Sequence, residues 1–255
     1  MKRLIVVSFV LLLFTPTTSF SYPNGTLFYV TDAAPFCASC HSAAKAEYTP
    51  ELPPEFAKKE TPEMKHYGLV RMPAPPSPYM ELTDEQKETV IKTAKTIDTN
   101  SSVTITAPLR AKTNDELKVV VKAKGGNGPV IGIMLVDRAL RFQSRPITSD
   151  GWAIAGEPEV KGQDGKTQKT WLDRRIKGSK RNLNFILIDG QKFDIEKNVY
   201  PAGEVIFTLK APPQAGTYNL TAAFLYGTEN AGTAGFFQRP SGRILFSDEL
   251  SIHVE

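Results

Sequence analysis

Both cysteines of this 255-residue chain lie in one four-residue window, Cys37-Ala38-Ser39-Cys40, and His41 follows directly. A chain that uses its whole thiol inventory there cannot staple distant segments together, so its fold must rest on ordinary apolar cores. The spacing also has a chemical reading. Two thiols three positions apart can each add to one vinyl group of the same porphyrin. The next residue is then held beneath the iron, where an imidazole nitrogen serves as proximal ligand. The chain is therefore expected to carry one covalently attached haem c, bound through Cys37 and Cys40 with His41 on the iron.

Three other readings compete for the same residues. A redox dithiol needs a βαβ context, yet Asp32-Ala33-Ala34-Pro35-Phe36 precedes the motif without an apolar strand run. A structural zinc site wants four ligands, and the chain offers two cysteines and three histidines, of which His253 is remote in sequence. A chance pattern closed into a strained disulfide is the third reading and stays open.

The N-terminus points to export. Met1-Lys2-Arg3 is a basic start, Leu4 to Phe14 is an apolar run broken by Ser8, and Thr15 to Ser21 is polar and small. That is the form of a secretory signal peptide over residues 1–21, with Ser19 and Ser21 at the −3 and −1 positions. The apolar run is short for a membrane span; an uncleaved anchor is the alternative. No later segment is apolar enough to cross a membrane, so the mature chain is expected to be a soluble periplasmic, or otherwise exported, bacterial protein. Bacterial haem c is attached in that compartment.

Composition changes near residue 100. Residues 22–98 are rich in proline and alanine, Asp98-Thr99-Asn100-Ser101-Ser102 is a cluster of turn formers, and β-branched runs follow. We expect a haem domain over 22–98, a linker at 99–101 and a β domain over 102–255. In the first, Thr83-Asp84-Glu85-Gln86 is a capping box that opens a helix with Val90, Ile91, Ala94 and Ile97 on one face.

Residues 25–98 resemble the class I mono-haem cytochromes c. The resemblance rests on Cys37-Ala38-Ser39-Cys40-His41, on Met72-Pro73 in a later loop, and on the capped terminal helix. It implies a small helical cytochrome fold, with Met72 as the sixth iron ligand. His66, in Glu63-Met64-Lys65-His66-Tyr67, and Met80 are the alternatives. The chain departs from the pattern at Pro35, before the motif, and at Pro50, Pro53, Pro54 and Pro62 after it. The terminal helix also lacks the family's packing aromatic.

From Ser102 onward the pattern is all-β. Val103 and Ile105, Leu117 to Val121, Ile131 to Leu135, Phe185 and Leu187, Val205 to Leu209, Tyr218 to Tyr226 and Ile244 to Val254 are alternating or continuous apolar runs separated by turn residues. Ala215-Gly216-Thr217-Tyr218 resembles the tyrosine corner of immunoglobulin-like and fibronectin type III sandwiches, with Leu220 as the buried position. The expected architecture is thus multidomain: a small α domain followed by an immunoglobulin-like β-sandwich. Fold alone says nothing of function.

Residues 161–181 carry eight Lys or Arg against Asp164 and Asp173, around Trp171. A basic loop with an exposed aromatic could dock an acidic redox partner or an anionic surface; a solvated inter-strand loop is the plainer reading. Trp152 reads as core and His253 as structural. The expected function is one-electron transfer with redox partner proteins, including a membrane respiratory complex, and export argues against nucleic acid as a target. The competing functions are a haem enzyme or gas sensor with an open sixth position, and an adhesion protein with auxiliary haem.

Overall fold

The computed structural model describes residues 41–75, 77–229 and 241–255. The expected signal peptide, Cys37 and Cys40 lie outside these residues.

Among the described residues, twelve strands form two sheets. In chain order they are β1 (Ser42–Ala43), β2 (Ser102–Thr106), β3 (Arg110–Ala111), β4 (Glu116–Lys124), β5 (Ile131–Val136), β6 (Ala153–Ile154), β7 (Glu159–Lys161), β8 (Phe185–Ile188), β9 (Ala202–Lys210), β10 (Gly216–Gly227), β11 (Gly242–Phe246) and β12 (Leu250–Val254). The five-stranded sheet runs β2-β4-β9-β6, with β7 also on β9. The seven-stranded sheet runs β1-β11-β10-β12-β3, with β5 on β10 and β8 on β5.

The alternation that marks β4 in the sequence is realised: Leu117, Val119, Val121 and Ala123 point inward while the intervening lysines reach solvent. They meet Val205, Phe207 and Leu209 of β9, and Ile133, Leu135 and Phe224 of the other sheet, in one apolar cluster. Each such side chain contributes about 1.5–3 kcal/mol by leaving water. The sandwich thus provides the core that a chain without long-range disulfides needs. At the expected corner, the Tyr218 hydroxyl donates to the Gln214 carbonyl at 2.9 Å and Leu220 is fully buried. Trp152 is buried beside Tyr218, whereas His253 is exposed on β12.

β5 is buried at every position and the second half of β10 likewise, which a sheet open to water on one face cannot show. The outer face is covered. Ala43, Tyr48 and Ile97 from the first hundred residues belong to the same apolar cluster, and the Tyr48 ring meets Phe246 edge-on at 4.8 Å.

This overturns the expected small helical cytochrome domain. Among the described residues of this stretch, the α-helices are α1 (Pro54–Lys59), α2 (Gly68–Arg71), preceded by a π turn at Glu63–Tyr67, and α3 (Asp84–Thr99). Only α3 is long, and its Thr83–Gln86 capping box is formed as expected. The prolines keep the rest short, and α1 buries nothing. The separate helical cluster holds just Tyr67, Val70, Tyr79, Ile91 and Ala94, while Ile97 one turn on packs into the sandwich core. The helices therefore lean on the sheets, and the described chain is predominantly a β structure.

Candidate functional site

The site grows from an edge strand. Directly after His41, Ser42 and Ala43 pair in parallel with Arg243 and Ile244 of β11, at the edge of the larger sheet. The Ala44 amide donates to the Ile244 carbonyl at 3.0 Å, and the Ala43 amide to the Glu60 carbonyl at 3.0 Å. This docking delivers His41 to the edge of β11. Its Nδ1 lies 2.9 Å from the Arg243 carbonyl oxygen. A carbonyl can only accept, so Nδ1 carries the proton and Nε2 the lone pair. The ring rests against Gly242: a Cβ there would lie 2.8 Å from Nδ1, closer than real side chains approach, and a tight 3.1 Å from Cε1.

Burial lowers the His41 pKa to about 4. The bond to the Arg243 carbonyl opposes the shift, while the positive charges of Arg141, Lys65 and Arg243 add to it. At neutral pH the imidazole is neutral. Arg141, fully buried, and Lys65 share the Glu60 carboxylate, which Lys65 approaches at 2.9 Å.

The Arg243 side chain is the hub beneath. It is wholly buried and donates from Nη1 to Ser42 Oγ at 3.1 Å, from Nη2 to His66 Nδ1 at 2.8 Å and from Nε to Asp98 at 3.2 Å. Ser42 Oγ in turn donates to the Gly242 carbonyl at 3.0 Å. Asp98 also accepts from the Tyr67 hydroxyl at 2.7 Å and the Tyr226 hydroxyl at 3.0 Å. Burial acts to lower the Arg243 pKa, but Asp98 and the two tyrosines outweigh it and raise it. Both tyrosines are raised, by burial first and then by the Asp98 charge. One carboxylate, one guanidinium and two phenols thus lock α3, the π turn, β10 and β11 together.

His66 is fully buried. Accepting at Nδ1 from Arg243 leaves its proton on Nε2, which donates to Glu229 Oε1 at 2.7 Å. Tyr79 donates to the same oxygen at 2.6 Å. Burial raises the Glu229 pKa, but the hydrogen bond from His66, with help from Thr228 and Tyr79, holds it at about 2. Iron ligation through His66 would have to break a short hydrogen bond at one ring nitrogen or the other.

Of the expected methionine ligands, Met72 caps the C-terminal end of α2 and is 38% exposed, and Met80 is exposed as well. The basic loop differs from its expected form. Trp171 is buried, not exposed: it lies edge-on to Phe185 at 5.2 Å, and the Arg175 guanidinium stacks over it at 4.5 Å. Burial lowers the Arg175 pKa to about 10. A large aromatic beside an uncovered strand is more stable inside, so the loop folds its ring onto β8 and leaves Lys166, Lys169, Arg174 and Lys177 in water.

Sequence reasoning missed Gly242, Arg243 and Glu229, and read Asp98 as a turn former. Nothing local marks them, since their partners lie far along the chain. Among the described residues, no group of three or more His, Cys, Asp or Glu could hold a metal ion, and no helix is long and apolar enough to cross a membrane.

No family model and no curated protein matches the chain. Among solved structures it is similar to a CARDB domain from Pyrococcus furiosus, determined in complex with di-metal ions. The likeness has 11% identity and a TM-score of 0.27, over 61% of this chain and 88% of that one.

Proposed function

We propose that the chain is an exported one-electron carrier holding one haem c, with thioethers at Cys37 and Cys40, His41 as proximal ligand and Met72 as sixth ligand. The observation that carries this reading is the hydrogen bond from His41 Nδ1 to the Arg243 carbonyl. Histidines that ligate metals characteristically donate their other ring N–H to a carbonyl or carboxylate, which sets the tautomer and the ring orientation. His41 has that arrangement, in the position the Cys-x-x-Cys-His spacing assigns to the ligand.

When bound, haem c supplies a ferric–ferrous couple whose potential depends on its axial ligands and their surroundings. The chain's own residues do the rest. His41 offers Nε2 in a fixed orientation, Gly242 and Arg243 hold the ring, and the buried network beneath keeps that edge of the sheet from shifting. The exposed Lys166, Lys169, Arg174 and Lys177 suit an acidic redox partner, a membrane respiratory complex included, in the periplasm of a bacterium.

The test uses the full chain, produced in a bacterial host with active cytochrome c maturation. Mass spectrometry should find one haem per chain, lost in the Cys37→Ser/Cys40→Ser double variant. The dithionite-reduced spectrum should show narrow low-spin bands that carbon monoxide does not move. A colourless protein refutes the haem reading, and a spectrum shifted by carbon monoxide refutes electron transfer with both axial positions filled.

A further inference from the structure

The carbonyl that accepts the His41 Nδ1 proton belongs to β11, 202 residues further along the chain. We propose that β11 positions the iron-ligating imidazole, with Arg243 as the positioning residue and Gly242 as the residue that makes room for the ring. The inference rests on the haem reading of His41.

Three features carry it. The Arg243 carbonyl accepts the Nδ1 proton and so dictates both tautomer and ring plane. That carbonyl is itself immobilised, because the guanidinium of the same residue is tied at once to Ser42, His66 and Asp98 in the interior. Ser42 is the neighbour of His41, so one bond of Arg243 holds the side chain next to the ligand while another holds Asp98 of α3. Finally, the space the ring occupies exists only because residue 242 lacks a Cβ. Any larger residue would push the imidazole off the carbonyl. A residue of the sheet, far in sequence from the cysteines, then governs ligand basicity. Donation of Nδ1–H to a carbonyl strengthens Nε2 as a donor and favours the ferric state.

The experiment compares wild type, Gly242→Ala and Arg243→Lys as full chains. Histidine nitrogen NMR of chains produced without haem attachment reads the His41 tautomer. Potentiometric titration of the haem-loaded chains reads the reduction potential, and circular dichroism with urea unfolding checks the fold. Wild type should show the Nδ1–H tautomer. G242A should lose at least about tenfold of that preference and shift to higher potential; a tenfold change in the relative stability of the two iron states corresponds to about 59 mV for one electron. R243K keeps a charge for Asp98 but cannot hold three partners, and should shift the same way by less. An Nε2–H tautomer in wild type overturns the proposal, as do folded variants whose tautomer and potential match wild type. Should G242A not fold, R243K and the wild-type tautomer decide. A chain that keeps the Nδ1–H tautomer yet takes up no haem refutes the haem reading alone. A haem-loaded chain whose potential ignores both substitutions refutes the positioning role alone.

Discussion

Arg243→Met is the most informative perturbation of stability. The methionine follows the path of the arginine stem through the core but removes the charge and every donor. Two losses can be sized. Asp98, with 21% of its side chain exposed, is left without its cation, though the Tyr67 and Tyr226 hydroxyls still donate to it. His66 Nδ1, fully buried, is left as an unsatisfied acceptor, at a cost of about 1–3 kcal/mol. Removing one partner of a buried ion pair typically costs about 3–5 kcal/mol. The surviving phenols place this case near the lower end, at about 3–4 kcal/mol. For a chain of this size that lowers Tm by about 6–16 °C, at roughly 2–4 °C per kcal/mol. Urea unfolding followed by tryptophan fluorescence reads it directly, since Trp152 and Trp171 are both buried. The double variant with Asp98→Asn should cost less than the sum of the two singles by about 2 kcal/mol, because the second substitution removes the charge orphaned by the first. A loss below about 1 kcal/mol, or strict additivity, would refute the view of Arg243 as the hub.

Two further outcomes follow from the same structure. The Glu229 carboxyl is held at about 2 against an ordinary glutamate value of 4.5, so its contribution is fully present above pH 4.5 and is lost as pH falls towards 2. The loss amounts to about 3 kcal/mol at 1.36 kcal/mol per pH unit. Glu229→Gln should flatten the acid limb of a stability-versus-pH curve in that window, and an unchanged limb would exclude this origin. Ile97→Ala removes the α3 side chain that enters the sandwich core; it should cost about 2–5 kcal/mol by urea unfolding. It should also speed amide exchange at the C-terminal end of α3, and a neutral result would mean that the helix is not anchored through that residue.

How legible these elements were in the sequence depends on how far away their partners lie. The β4 and β9 alternation, the Thr83–Gln86 capping box and the Tyr218 corner involve interactions within a few residues or a repeating two-residue period, and each is where the pattern predicts. The apolar stripe of α3 was legible as well, but not its division: Ile91 and Ala94 face a small local cluster while Ile97 faces the sheet. Expecting a self-contained helical domain there failed because periodicity reports that a face is buried, not against what. Trp171 was misplaced for a similar reason. Its basic surroundings suggested water, and only the packing of β8 supplied a surface that buries it.

By itself, the sequence determined the local grammar of this protein: where strands alternate, where the long helix starts, and that a Cys-x-x-Cys-His motif precedes an otherwise cysteine-free chain. Tertiary structure alone decided the setting of His41. Its carbonyl partner, the glycine that admits its ring and the guanidinium that pins both come from a strand about two hundred residues away. Pairing of β1 with β11 involves two residues, too few for any pattern to announce, and it forms because an edge of the larger sheet offers its backbone groups there. His66 shows the same dependence. Read locally it is a candidate ligand, but between Arg243 and Glu229 both of its nitrogens are engaged.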